Sequence, residues 1–93
     1  YKRQAVRMYP DDEVANLNAA AVALSKKDLP DARKYLDKSN KQTAEYANNN
    51  GIYYLLSGNK DQAIVEFTKA ARNGNEAARY NLEEIEKVIK IKK

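Results

Sequence analysis

The sequence predicts an all-α fold: an α-solenoid of stacked antiparallel helix hairpins, about two repeats followed by a C-terminal capping helix. Three observations carry that expectation. Apolar residues recur at helical spacing in successive segments. Capping residues and glycines punctuate the chain between those segments. One hairpin pattern returns at an offset of about 31 residues, matching 27 to 58, 32 to 63 and 36 to 67.

Residues 1–8 favour helix, and Tyr9-Pro10 ends it, because the residue before proline avoids the helical region. Asp11 or Asp12 then caps a helix over 13–25, where Val14, Leu17, Ala21 and Leu24 share one face. The run Ala19-Ala20-Ala21 favours helix and permits close approach by a neighbour. Lys26-Lys27 close that helix near its negative end. Asp28 caps the next, over 29–39, with Pro30 in the first turn, where proline is tolerated. Its inner face is Leu29, Ala32, Tyr35 and Leu36.

Residues 40–42 continue a polar break, and Thr43 caps a third helix over 44–57. Local rules object there, since Asn48-Asn49-Asn50-Gly51 looks like a turn. The repeat overrules them and asks for a packing reason for Gly51, since glycine within a helix costs about 1 kcal/mol against alanine. Gly58 is a left-handed stop, and Asn59 with Gln62 resembles a capping box. The fourth helix, 60–72, turns Ala63, Ile64, Phe67 and Ala70 inward. Asn73-Gly74 ends it and Asn75 caps the last, where Ala78, Leu82, Ile85 and Val88 or Ile89 share a side. Glu83–Lys87 and Glu86–Lys90 are favourable pairs on the other side.

Composition narrows the chemistry. There is no cysteine and no histidine. Disulfides, thiol nucleophiles, Ser-His-Asp triads and ordinary zinc sites are therefore out, and no metal or cofactor is expected. The net charge is +4, with basic residues spread along the chain and only Lys90, Lys92 and Lys93 crowded at its end. A nucleic-acid footprint is usually a denser stripe, so none is expected. No apolar run approaches the ~20 residues a membrane helix needs. The chain starts at Tyr1 without a charged, hydrophobic leader, so part of a longer or processed protein is expected.

The aligned positions identify a family pattern. Asn18, Ala20, Ala23 and Leu24 fall on Asn49, Gly51, Tyr54 and Leu55, and Ala32, Leu36 and Ser39 fall on Ala63, Phe67 and Ala70. Small residues sit where helices would touch, with large ones a turn away. This pattern resembles the tetratricopeptide repeat, with Gly51, Tyr54, Gly58-Asn59, Ala63, Phe67 and Ala70 in its places. Asn50 stands where leucine is usual, and Ala23 where an aromatic is usual. The resemblance implies one domain over 1–93: the end of a preceding helix at 1–9, with Ala5 and Pro10 in register, repeat one at 13–39, repeat two at 44–72, and a capping helix at 75–91. In that last helix Tyr80-Asn81-Leu82 matches, and Glu83 replaces a small residue. More narrowly, 5–39 is similar to the region trailing an OmpA-like domain in bacterial cell-envelope proteins. That resemblance implies an envelope or periplasmic setting, with the cytoplasm as the alternative.

The tetratricopeptide resemblance implies a concave groove lined by the first helix of each hairpin. Leu17, Ala21, Leu24 and Ser25 would come from repeat one, and Asn48, Asn49, Ile52, Leu55 and Leu56 from repeat two. Tyr53, adjacent to Tyr54 and turned away from it, is the surface tyrosine expected to join them. Asn side chains can bond a peptide backbone as donor and acceptor. The structural alternative is that Asn18 and Asn49 hold the fold and the apolar residues pack on neighbouring helices. Ala21 and Ile52 replace the asparagines of the family's carboxylate clamp, which disfavours a chaperone co-factor. Asp11-Asp12-Glu13 reads as capping rather than as a metal site, and Glu83-Glu84-Glu86 as a solvated face. The expected function is a non-catalytic module binding a peptide or protein partner. The alternative is a spacer or terminal cap of a larger envelope protein. No nucleophile–base pair or phosphate-binding glycine loop supports an enzyme.

Overall fold

The computed structural model describes the backbone of residues 13–92 and the side chains of 14–87. The expectations for 1–9, Pro10, Asp11 and Asp12, for the side chains of Val88, Ile89, Lys90 and Lys92, and for Lys93 lie outside the described residues. The described residues form five helices and no strand: α1 Glu13–Ser25, α2 Leu29–Asp37, α3 Ala44–Leu56, α4 Lys60–Arg72 and α5 Glu76–Lys92. Each helix packs on the next in sequence, and α3 also packs on α1.

Three of the connections are built alike. After α1, Lys27 adopts a left-handed backbone at φ 59°; Gly58 and Gly74 do so after α3 and α4, both at 88°. The next residue folds its amide back across the helix end. Asp28 N–H reaches Ala23 O at 2.8 Å, Asn59 N–H reaches Tyr54 O at 2.8 Å, and Asn75 N–H reaches Ala70 O at 3.0 Å. These bonds satisfy carbonyls that a helix end leaves unpaired. The same three residues then cap the following helix. Asp28 accepts from Asp31 N–H, Asn59 from Gln62 N–H and Asn75 from Ala78 N–H. Thr43 caps α3 through Tyr46 N–H at 3.1 Å, so all four expected caps form.

Lys27 is the exception among the three left-handed positions, because it carries a Cβ. For an L-residue that conformation costs about 1–2 kcal/mol, which glycine avoids. Lys27→Gly is expected to stabilise the fold by about 1 kcal/mol, raising the thermal midpoint by about 4–8 °C. An unchanged or lower midpoint would show that the lysine is unstrained there.

The inner faces of α2, α4 and α5 are those the spacing predicts: Ala32 and Leu36, then Ala63, Phe67 and Ala70, then Ala78 and Ile85. The face of α1 is corrected. Asn16, Ala20, Ala23 and Leu24 are buried, whereas Val14 is 67% exposed and Ala21 is exposed. Small residues decide the contact, because Ala20, Ala23 and Ala32 let helices close where branched side chains would hold them apart. On α5, Lys87 pairs with Glu84 at 3.1 Å rather than with Glu83 as its spacing suggested. Both spacings bring helix neighbours together.

Helix α3 runs unbroken through Asn48-Asn49-Asn50-Gly51. Gly51 is buried, and a Cβ built on it would lie 2.7 Å from Cδ1 and Cε1 of Phe67. The nearest atoms in the gap thus belong to the Phe67 ring, not to Ala63 as the repeat suggested. Phe67 is fully buried within a cluster of Ala47, Ala63, Ala70, Ala78 and Ile85. Asn50 is also buried, and its carbonyl accepts a 3.0 Å bond from Arg33 of α2. The same guanidinium donates to the Tyr46 hydroxyl at 3.3 Å, pairs with Asp37 at 3.0 Å, and stacks 4.9 Å from the Tyr53 ring centre. Residues 46, 50 and 53 lie on one side of α3, so one arginine fastens α3 onto α2.

Four pairs of positions 31 apart share surroundings, whereas in a fifth Leu24 is buried and Leu55 exposed. Ala20 and Gly51 are buried, as are Ala32 and Ala63, Leu36 and Phe67, and Ser39 and Ala70. In the first pair the residue is small because another element fills the space above it.

Candidate binding groove

Helices α1 and α3 lie side by side, joined where Asn49 Nδ2 donates to Leu17 O at 3.3 Å. Helix α5 reaches α3 on its other flank through Asn81 Nδ2, which donates to Asn48 Oδ1 at 3.1 Å. Between α1 and the first half of α3 runs an open groove of about 390 Å³. Val14, Leu17, Asn18 and Ala21 line it from α1, and Glu45, Asn48 and Asn49 from α3. Thr43 and Asn75, both helix caps, complete the lining.

Four of the residues proposed from sequence meet in this groove: Leu17, Ala21, Asn48 and Asn49. The other six lie elsewhere. Ser25 is exposed at the end of α1, with its hydroxyl donating to Val22 O at 2.7 Å. Ile52 is half-buried and packs against the Phe67 cluster and against Ala23, Leu24 and Ala32. Tyr53 is half-buried beneath Arg33, and its ring meets Tyr54 edge-on at 5.7 Å instead of pointing away. Among the described tyrosines Tyr80, at 62% exposure, is the open one. Leu55 and Leu56 are exposed at the far end of α3, and Leu24 is buried.

Sequence reasoning put Val14 on one helical face without naming it for the groove, and gave Asn18 as structural in the alternative reading. Both line the groove, and Asn18 is exposed. The signal was present: Val14, Leu17, Asn18 and Ala21 are one helical stripe, but it faces the groove. Glu45, Thr43 and Asn75 were unmarked as lining because their capping and first-turn positions already explained them.

The two bridging asparagines each use one end of the amide. Asn49 donates from Nδ2 to Leu17 O, and Asn48 accepts at Oδ1 from Asn81 Nδ2. Both groove-lining amides are thus anchored by the chain's own bonds. Among the described residues Glu45 is its one ionisable lining residue. Nearby, Arg33 is held as a cation: burial opposes its charge, but the Tyr46 hydroxyl and the Asp37 carboxylate prevail and raise its pKa.

Among the described residues no group of three or more acidic, histidine or cysteine side chains is placed to hold a metal. Among them, too, no helix is long and apolar enough to cross a membrane. Comparison with protein-family models, with curated proteins and with solved structures finds no match.

Proposed function

We propose that this chain is a tetratricopeptide-type solenoid acting as a non-catalytic interaction module, holding a peptide or protein segment in the groove between α1 and α3. The observation that carries the reading is the groove itself. It combines an apolar stripe, Val14 and Ala21 exposed and Leu17 half-buried, with amide groups fixed by the chain's own bonds. Such a mixture suits an extended segment, whose backbone needs donors and acceptors and whose side chains need apolar contact. The solenoid part is supported by the equivalent burial at four pairs of positions 31 apart and by the shared build of the three tight turns.

A second reading is a spacer or terminal cap within a larger cell-envelope protein. It is favoured by Ile52 and Asn49, which the chain's own packing and hydrogen bonding already engage. One experiment separates the two. Peptides selected by display against the folded domain should lose roughly tenfold or more in affinity on Ala21→Trp, a loss of about 1.4 kcal/mol. Ala21 is exposed, so the bulkier side chain fills the groove without entering the core. Selected peptides that bind the variant equally well, or no selection above background, would favour the spacer.

A further inference from the structure

We infer that the segment held in this groove is an extended peptide carrying a lysine or arginine, which pairs with Glu45. The inference rests on the groove reading above and adds the chemistry of the ligand. Every other described lining side chain is neutral, so among the described residues Glu45 alone sets the sign of the charge in the lining. Among the described residues Glu45 has no ion pair, unlike Asp37, Glu66 and Glu84. Its place in the first turn of α3 suits the positive end of the helix, which explains why a carboxylate is stable there without a partner.

The chain as a whole is basic, at +4, and repels cations at long range. That field is screened beyond about 8–10 Å in ordinary salt, so the carboxylate at contact decides. An acidic segment would meet the carboxylate with no cation among the described lining residues to offset it. The apolar floor is short, formed by Val14, Leu17 and Ala21. The Asn48 and Asn49 amides, each anchored by one bond, line the groove and can pair with a ligand backbone. Together these features describe apolar residues next to a cationic one.

The probe is a positional-scanning library of acetylated, amidated hexapeptides, with binding read by fluorescence at low salt. Lysine or arginine should be enriched at one position. Glu45→Gln should weaken those peptides about three- to fivefold, as for an exposed ion pair, and leave neutral peptides unchanged. Glu45→Lys should turn the preference at that position towards Asp and Glu. Circular dichroism should show both variants folded, since Glu45 is exposed. Peptides that bind, are lost on Ala21→Trp, and have no cationic preference would overturn the inference and leave the groove standing. A preference that survives Glu45→Gln would do the same. If no hexapeptide binds, or Ala21→Trp changes nothing, the groove reading falls and this inference with it.

Discussion

Phe67→Ala is expected to lower the unfolding free energy by about 3–5 kcal/mol. A chain of this length has roughly 5–14 kcal/mol in total, at about 0.05–0.15 kcal/mol per residue. The variant should therefore be marginal at room temperature, with a urea midpoint displaced far towards zero. Phe67 is fully buried and joins α3, α4 and α5 in one cluster, so its removal opens a cavity that no flexible neighbour can fill. A loss below about 1.5 kcal/mol would mean that the cluster collapses around the gap.

The same ring explains Gly51. Alanine there gains about 1 kcal/mol of helix propensity, but its Cβ would press into a ring that alanines hold on several sides. Overpacking of this kind costs about 1–3 kcal/mol, so Gly51→Ala should be neutral to destabilising despite its better propensity. Adding Phe67→Leu should relieve the clash, and the double-mutant cycle should give a coupling of at least about 1 kcal/mol. Additive effects would place the glycine's role elsewhere.

Arg33→Ala carries the second large effect, a loss of about 2–4 kcal/mol by chemical denaturation. It removes the bond to buried Asn50, the bond to Tyr46, and the stacking on Tyr53 at once. The Asn50 carbonyl is then left buried without a partner. Arg33→Lys should recover little, because an ammonium cannot serve the fork and the ring together. Arg33→Met with Asn50→Leu should recover most of the loss, since an apolar pair of similar size leaves nothing unsatisfied. The raised pKa of Arg33 means its contribution is present below the unfolded-state pKa and lost only as pH rises through the folded one. Both lie above the working range, so this guanidinium adds no pH dependence to stability there.

What could be read from sequence divides along a physical line. The caps Asp28, Thr43, Asn59 and Asn75 were legible because capping is local chemistry, complete within four residues. The inner faces of α2, α4 and α5 were legible because each holds a large apolar residue at helical spacing. The face of α1 was not, because alanines form it and the larger Val14 points elsewhere. Arg33 carried no signal at all. Its partners lie 13 and 17 residues away, and an arginine on a helix looks solvated until the next helix is placed against it. The groove was half legible for the same reason. Leu17, Ala21, Asn48 and Asn49 follow from the repeat, while Ile52 and Tyr53 went to contacts that only the packing of α2, α3 and α4 determines.

The doubled duty of Asp28, Asn59 and Asn75 has a bearing on where this chain can change length. Each joins two helices through a linker of three residues, 26–28, 57–59 and 73–75, in which no residue is spare. One inserted residue would separate the amide that closes one helix from the side chain that starts the next. The stretch 38–43 is twice as long, and its closing and capping bonds fall on different residues. Evolutionary insertions, or an engineered tag or reporter, therefore have one natural point of entry among the described residues. It lies between the helix that carries Arg33 and the helix that Arg33 grips.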